Sequence, residues 1–506
     1  MSDRTPPDAQ PASGFPPDVD VLIIGSGFAG LCMAIQLRKA GREDFLILEK
    51  GPDVGGTWRV NTYPGCACDI PSHLYSYSFE PNPGWSRMYP TQPEIWQYLK
   101  DVAQRNDITP GRIRFNTEVR EAVFDRAAGM WRVRTAGGDE IAARVVVSGM
   151  GGLSRPKIPD LPGLARFQGP TFHSAEWDHS VDLNGTRVAV IGTGASAIQF
   201  VPQIAPRVAQ LHLFQRSPPW VLPKLDRPIR PWEHRLFRAL PGTMRLFRAW
   251  LYWRQEAVAI GYTVHPKLLR PIEQWGRRHL ERTIPDPELR RRVTPDYTMG
   301  CKRTLLSNEY LPALARPNVE VVTDRLTEVR EHSVVTADGR EREVDAILFA
   351  TGFQTMDMTS PVRFVGVDGV SLDERWKEGP QGYYGVAVTG YPNLFFIIGP
   401  NSRVANNSIV FMIEAQVGHI LRLLDHMDAR GARVLEVEPE AQSAYNDALQ
   451  ERMQRTVFVS GCDNWYRDAR GRNPVLWPAF ATGYWLKSRR VPSHGYRTLE
   501  GTAAES

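Results

Sequence analysis

Apolar runs that end in glycine-rich turns occur twice in the chain, each followed by a helical pattern and a further apolar run. The first occurrence predicts a strand at Asp20–Ile24, a turn from Gly25, a helix from Phe28 and a strand at Phe45–Leu48. The second predicts the same elements in the same order: Arg187–Ile191, Gly192–Ala197, Ala197–Ile204 and Leu211–Phe214. Short apolar strands leading into a glycine turn and a helix are typical of parallel α/β sheets. The pattern therefore predicts two α/β units.

Periodic segments between and after these units predict further elements. Helical patterns cover Pro93–Arg105, Glu233–Leu240, Met244–Ala259, Pro271–Ile284 and Ile409–Leu424. Strand patterns cover Arg112–Phe115, Val119–Phe124, Trp131–Ala136, Arg144–Met150, Val319–Val322 and Ser333–Thr336. We expect the first three of these strands to form a small antiparallel insertion. The apolar run from Val344, which ends in Ala-Thr-Gly, should mark the return to the first unit.

The first glycine turn has the complete spacing of a dinucleotide site. Gly25 would make the tight turn, Gly27 would let the backbone approach a pyrophosphate, and Gly30 would let helix and strand pack closely. Glu49, 24 residues after Gly25, can accept hydrogen bonds from ribose hydroxyls. The residues expected to bind the first nucleotide here are Gly25, Gly27, Phe28, Ala29, Gly30, Glu49 and Lys50.

The second glycine turn differs from the first at one informative position. Arg216 stands 24 residues after Gly192, where the first unit has an acid. An arginine there pairs with a 2′-phosphate that an acid would repel. We therefore expect NADP(H) at the second site and FAD or NAD at the first, most simply a flavin and its reductant. The residues expected to bind are Gly192, Thr193, Gly194, Ala195, Ser196 and Arg216.

Composition narrows the class of protein. A chain of 506 residues, 42% hydrophobic and 23% charged, suggests about three globular domains. The net charge of +5 is small for this length, and no nucleic-acid reader motif accompanies it, so we expect no nucleic-acid partner. No apolar run is long enough to span a membrane, and the N-terminus does not resemble a signal peptide. Five cysteines (Cys32, Cys66, Cys68, Cys301, Cys462) suggest reduced thiols and a cytoplasmic location.

A segment before the second turn carries a specific resemblance. Phe167-x-Gly169-x-x-x-His173-x-x-x-Trp177-Asp178 resembles the fingerprint of the Baeyer–Villiger monooxygenases, flavoproteins that convert ketones to esters or lactones. The stretch from Gly56 through Trp58 and Tyr63-Pro-Gly to Asp69 resembles the second signature of that family.

The resemblance implies an activity and a set of site residues. An NADPH-reduced FAD would react with O2 to give a C4a-peroxyflavin, which attacks the ketone through a Criegee adduct, with sulfide oxidation as a side activity. Arg303 would be the catalytic cation, oriented by Asp69, and Lys302 and Trp465 would contact NADP. Further FAD contacts would be Gly56, Thr57, Trp58, Asp69, Tyr75 and Val119. By the same resemblance, His173 couples domain movement to turnover and is not the base.

The expected fold is α/β with two dinucleotide-binding domains of Rossmann type, the FAD domain discontinuous and the NADP domain carrying a helical insertion. The expected boundaries are as follows: a disordered tail 1–19; the FAD domain 20–160; the fingerprint linker and NADP domain 161–222; the insertion 223–295; the NADP domain 296–345; the FAD domain with its C-terminal loop 346–500; and a disordered tail 501–506. The loops Gln354–Thr359 and Asn401–Ile409 and the C-terminal aromatic stretch should shape the ketone pocket. Oligomeric state is left open.

Two rival functions remain at this point, and the insertion has two interpretations. An N- or S-oxidising flavin monooxygenase is disfavoured by Trp177-Asp178 and by Arg303. An FAD/NADPH disulfide reductase needs a redox cysteine pair, and Cys66-x-Cys68 has neither that spacing nor enough ligands for a metal site. The basic, Trp-rich insertion is either an ordinary helical domain or a surface in weak contact with an anionic membrane.

Overall fold

The computed structural model describes residues 18–499 except 154, 469 and 493. The predicted tails lie outside the described residues, apart from Asp18 and Val19, and Val19 already begins the first strand. The strands are β1 Val19–Ile24, β2 Phe45–Leu48, β3 Ile113–Arg114, β4 Val119–Asp125, β5 Met130–Thr135, β6 Glu140–Ser148, β7 Thr171–His173, β8 Arg187–Ile191, β9 Gln210–Phe214, β10 Val221–Leu222, β11 Leu305–Leu306, β12 Val319–Val322, β13 Leu326–Val329, β14 Ser333–Thr336, β15 Glu341–Glu343, β16 Ala346–Phe349, β17 Arg363–Val365, β18 Leu394–Phe396, β19 Val434–Val437 and β20 Tyr496–Leu499.

The helices lie close to the predicted segments and extend several of them. They are α1 Phe28–Lys39, α2 Thr57–Val60, α3 Gln92–Arg105, α4 Ala197–Ile204, α5 Pro231–Ala239, α6 Pro241–Thr263, α7 Arg270–Thr283, α8 Pro287–Val293, α9 Tyr310–Leu314, α10 Leu372–Arg375, α11 Ile409–Asp428, α12 Pro439–Met453 and α13 Ala481–Ser488. None of those in the described part of the chain is long and apolar enough to cross a membrane.

The first sheet has the order β17-β4-β5-β6-β1-β2-β3, and β18 also pairs with β6. Strands β6, β1, β2 and β3 are parallel, whereas β4, β5 and β6 pair antiparallel. The assignment of Arg112–Phe115 to the antiparallel insertion is therefore wrong, because β3 pairs parallel with β2. Since β17 and β18 come from the far end of the sequence, the first domain is discontinuous, as predicted.

The second sheet has the order β12-β9-β8-β16-β7, all parallel. Its edge strand β7 comes from the fingerprint segment, so this segment is part of the second domain. Strand β16 lies between β8 and β7, so the return to the first sheet comes one strand later than the boundary expected after residue 345. The predicted run was correct as a strand, but its position in the chain does not reveal which sheet it joins.

Close backbone approach explains the glycines of the first turn. A Cβ on Gly30 would lie 1.9 Å from the carbonyl oxygen of Gly25, so only glycine lets α1 pack this tightly after β1. Gly25 has a φ of +94°, in the region that favours glycine. Helix α1 then buries an almost continuous apolar surface against β1 and α11. This packing fixes the N-terminus of α1 at the carboxyl edge of the sheet.

Candidate active site

The N-terminus of α1 is open toward the carboxyl edge of the first sheet. Gly27 precedes the helix, no side chain caps it, and its first turn holds no acid. Its N–H groups are therefore available for an anion such as a pyrophosphate. Glu49, at the end of β2, is nearly buried and accepts hydrogen bonds from the N–H and Oγ of Ser26, both 2.8 Å long, and from Gly51 N–H. Its remaining lone pairs suit ribose hydroxyls.

A second glycine pair packs directly against this turn. A Cβ on Gly56 would lie 3.1 Å from the Cα of Gly27, and Gly56 has φ +52° and ψ −121°. Thr57 and Trp58 begin α2 immediately after it. This geometry agrees with the expectation that the backbone passes the same cofactor twice.

Aromatic residues and the start of β4 lie next to the first glycine turn. The indole N–H of Trp58 donates to the Tyr75 hydroxyl at 3.1 Å, and the Tyr75 ring packs edge-on against Phe28, with centroids 5.2 Å apart. Val119 begins β4 close to Glu49, whose carbonyl accepts from Thr117 N–H at 2.9 Å. These residues therefore lie close to the first glycine turn, where the donors, acceptors and glycine clearances fit a dinucleotide, and their contacts with FAD stay a prediction.

Sequence reasoning missed Arg59, which lies close to Glu49 of the first nucleotide site. Its guanidinium lies over Gly51, where a Cβ would meet Nη2 at 2.1 Å, and Nη2 is 4.0 Å from Glu49 Oε1. Its position two residues after Gly56-Thr57 was the only clue in the sequence, and the spacing did not indicate that its side chain reaches Gly51 and Glu49. Lys50 is exposed beside it.

The second nucleotide turn is built like the first. Helix α4 begins after Ser196 with no side-chain cap and no acid in its first turn. Arg216 follows β9 and is exposed. Lys302 Nζ donates to Ser217 Oγ at 2.9 Å, which places the two cations beside each other. The pKa of Lys302 is lowered by burial and next by the Arg216 charge. Within the described residues neither cation forms an ion pair, so the pair fits a 2′-phosphate.

Arg303 and Asp69 form an ion pair across 234 residues of sequence, with guanidinium Nη2 donating to the carboxylate. The Arg303 side chain remains 47% exposed, so the ion pair leaves part of it open to solvent. Burial alone would raise the pKa of Asp69, but the charge and hydrogen bond of Arg303 outweigh burial and lower it. The Asp69 charge raises the pKa of Arg303. Both groups are therefore charged at neutral pH.

The loop that carries Asp69 is docked on the second domain. Gln199 of α4 accepts from the Tyr63 hydroxyl at 3.0 Å and donates to the Ala67 carbonyl at 2.9 Å. Gly65 has φ +79°, and a Cβ there would lie 2.7 Å from the carbonyl oxygen of Gln199. Sequence reasoning did not find Gln199, because this contact forms only when the two domains meet. It holds the loop that carries Asp69 against α4, the helix that follows the second nucleotide turn.

The C-terminal loop is tied covalently to the segment that precedes Lys302. Cys301 and Cys462 form a disulfide, so the expectation that all five cysteines are reduced is wrong. Their separation of 161 residues carries no spacing signal. Asn464 Nδ2 also donates to the Cys301 carbonyl at 3.1 Å. Trp465 is exposed on this loop, and its contact with NADP stays a prediction.

Cys66 and Cys68 are free and buried. Burial raises the pKa of Cys66 to about 12 and that of Cys68 further. Thiols this hard to ionise are poor nucleophiles. They are packing residues of the loop and not a redox pair.

His173 lies fully buried at the end of β7, and its Nδ1 accepts from Ala175 N–H at 3.1 Å. Burial lowers its pKa, so the imidazole is neutral, and its ring meets Phe353 edge-on. This position suits a residue that joins β7 to the segment after β16. It agrees with the expectation that His173 is not the catalytic base.

Arg403 is a second cation that the sequence did not single out. It lies in the loop Asn401–Ile409, and a Cβ on Gly152 would meet its Nη2 at 2.1 Å. Among the described residues its guanidinium has no hydrogen-bond or ion-pair partner, and burial lowers its pKa to about 10.

Two open dinucleotide turns joined by a docked loop define the chain as a flavin-dependent oxidoreductase with two nucleotide domains. The family model for pyridine nucleotide-disulphide oxidoreductases matches residues 22–248, which include both turns. A Baeyer–Villiger monooxygenase of Pseudomonas aeruginosa is 48% identical over 94% of this chain and 90% of its own length. Another, of Streptomyces coelicolor, is 48% identical over 96% and 94%. The chain belongs to the Baeyer–Villiger monooxygenase family.

Solved structures agree with this assignment. A steroid monooxygenase bound to NADP superposes with a TM-score of 0.85 at 31% identity, covering 96% of this chain and all of its own. Cyclohexanone monooxygenase from Rhodococcus sp. Phi1, bound to NADP+, gives 0.84 at 29% identity, covering 95% and 99%. A complex of OTEMO with FAD and NADP gives 0.87 at 26%, covering 96% and 100%. The chain is thus an FAD- and NADP-dependent monooxygenase, and the disulfide-reductase alternative loses its support.

Proposed function

We propose that the enzyme inserts one atom of O2 beside the carbonyl of a ketone to give an ester or lactone, through the peroxyflavin and Criegee adduct that the family resemblance implies. The bound flavin supplies the reactive oxygen. The observation that supports the proposal is the Arg303–Asp69 ion pair, which leaves the Arg303 side chain 47% exposed. A fixed, permanently charged donor favours the negative charge that develops on the carbonyl oxygen.

The neighbouring residues have distinct parts in this proposal. Asp69 holds Arg303 in one orientation and offsets its charge before the substrate binds. Lys302 and Arg216 hold the 2′-phosphate, which keeps NADP in place through turnover. Sulfide oxidation follows as a slower side activity of the same oxygen donor. We propose a ketone and O2 as the substrates and no nucleic-acid partner, and the oligomeric state stays open.

The cytoplasmic location also stays a prediction. Stable disulfides are rare in the cytoplasm, so the Cys301–Cys462 disulfide makes this location worth testing by cell fractionation.

The test of the reaction is stopped-flow kinetics on Arg303→Ala with cyclohexanone as the probe ketone. Loss of the donor should lower ester formation by about a hundredfold or more, the usual cost of removing one oxyanion donor. FAD content and anaerobic reduction by NADPH should stay within twofold of wild type. Arg126→Ala, which removes an exposed arginine in the turn after β4, is the matched control. Ester formation that survives in Arg303→Ala would contradict the catalytic role.

A further inference from the structure

Helix α6 of the insertion exposes an apolar stripe along its whole length. We call it the outer stripe: Leu246, Trp250, Trp253, Ala257, Ile260 and Val264. Its members are spaced alternately by four and three residues, so they follow one face of the helix. Leu246 is 73% exposed, Trp253 60% and Trp250 55%. A contiguous apolar surface of this kind on a folded protein marks an interaction site.

The opposite face of α6 is already occupied. Met244, Leu251, Ala259 and Tyr262 are buried, and Arg248 reaches past the first domain's Ser76 to the carbonyl of His73. The helix therefore has its own packed side, and the outer stripe is not part of the core. Leu240 and Leu268, just before and after the helix, are exposed as well.

The exposed charges of α5 and α6, the two helices considered for the outer stripe, are of one sign. Arg245 and Arg254 flank it on either side, and the Arg254 guanidinium lies over the Trp250 ring, 5.2 Å from its centroid. The acids of α5 and α6, two helices described in full, are Glu233 and Glu256, and both are buried. The exposed face thus combines tryptophan, leucine and arginine without an exposed carboxylate.

We propose that the outer stripe docks the enzyme on the surface of an anionic lipid bilayer. Helices that lie in the membrane interface bury Trp and Leu among the acyl chains and keep arginines at the headgroup phosphates. A second copy of the chain is the weaker partner, because two stripes facing each other would bring arginines together with no exposed acid from α5 or α6 to pair with them. The proposal rests on this surface and does not depend on the reaction.

Docking at this helix would bring the bilayer close to the substrate region. The Asn406 side chain donates to the Gln255 carbonyl at 2.6 Å, and that of Asn407 donates to Glu256 Oε1 at 2.8 Å. Glu256 also accepts from Ala481 and Thr482 at the start of α13. Helix α6 therefore holds the loop expected to shape the ketone pocket. A lipophilic ketone dissolved in the bilayer would reach the enzyme at this face.

The test is flotation of the full-length, FAD-loaded enzyme with vesicles of phosphatidylcholine alone or mixed in equal amounts with phosphatidylglycerol. Wild type should bind the mixed vesicles and release them at high salt. The double variant Trp250→Ser/Trp253→Ser should lower binding about tenfold or more, and Arg245→Glu should remove the preference for the anionic lipid. Ile158→Ser and Arg126→Glu, exposed sites elsewhere, are the matched controls.

The variants change exposed side chains, so the melting temperature and the oxidation of a water-soluble ketone should match wild type. Binding by the tryptophan variant equal to that of Ile158→Ser would overturn the proposal. So would failure of wild type to bind mixed vesicles. Self-association of wild type in sedimentation experiments, lost in the tryptophan variant while vesicles are not bound, would assign the stripe to a second copy instead.

Discussion

Arg216 gives the sharpest test of the second nucleotide site. Replacing it with alanine removes one of two adjacent cations that the structure leaves without an ion pair in its described part. A hydrogen bond to a charged group contributes about 1.5–3 kcal/mol. Since about 1.4 kcal/mol is a factor of ten, the preference for NADPH over NADH in kcat/KM should fall by roughly 10- to 150-fold. The value for NADH itself should change little.

Lys302 provides an independent check on the contribution of Arg216 to NADPH binding. In the free enzyme the Arg216 charge helps to lower the pKa of Lys302, after burial. A lysine binds phosphate only when protonated, so NADPH binding should weaken as pH rises through its lowered pKa. Arg216→Ala removes the repulsion, which should move this loss to higher pH. If both cations hold the same phosphate, the losses in Arg216→Ala and Lys302→Ala should not add.

The assay is steady-state kinetics with both nucleotides between neutral and alkaline pH. Arg207→Ala is the matched control, because Arg207 is an exposed arginine beyond the other end of α4. It should leave the nucleotide preference unchanged. An unaltered preference in Arg216→Ala would refute the assignment of the phosphate site, and a fall of equal size for NADH would show that Arg216 contacts a part common to both nucleotides.

Two further predictions concern the C-terminal half. Cys301→Ser/Cys462→Ser should lower the free energy of unfolding by about 2–5 kcal/mol in denaturant titrations, because the disulfide closes a long loop. In anaerobic NADPH titrations, wild type should take up two electrons per FAD. An uptake of four electrons would show that the disulfide is a redox group and not a structural one. Arg403 lies in the loop expected to shape the ketone pocket and has no ion-pair partner among the described residues, so we expect it to bind an anionic group on a substrate. Arg403→Gln should therefore raise the KM of a ketone that carries a carboxylate by about tenfold or more and leave that of cyclohexanone within twofold. An equal loss for both ketones, or loss of FAD, would contradict this role.

Local sequence patterns were sufficient to predict the strands and helices of the two nucleotide units. Strands β2, β8 and β12 and helix α4 have the predicted bounds, α1 begins at the predicted Phe28, and β1 begins one residue earlier than predicted. Each of these elements is specified by apolar periodicity and by glycines within a few residues, which a single sequence displays. The Arg216 position was readable for the same reason, since a fixed spacing from Gly192 defines it.

Contacts between distant segments were not readable in this way. The placement of β16 in the second sheet, the parallel pairing of β3 and the Cys301–Cys462 disulfide each join segments whose local patterns have several possible partners. Gln199 and Arg403 were missed because a lone polar residue on a helix or loop shows no periodicity. Asp69 and Arg303 were found only through family resemblance, although their ion pair is the centre of the site.

Arg303 is positioned by contacts that exist only after both nucleotide units have folded. Asp69 comes from a loop held on α4 by Gln199, and the segment before Arg303 is held by Cys462. Its neighbour Lys302 is anchored at Ser217, beside the expected phosphate site. If Lys302 holds the nucleotide as proposed, the adjacent guanidinium is restrained as well. Under the proposed function, the contacts expected to select NADP would also hold Arg303 in place, which would be a physical reason for keeping the oxidised nucleotide bound while oxygen is transferred.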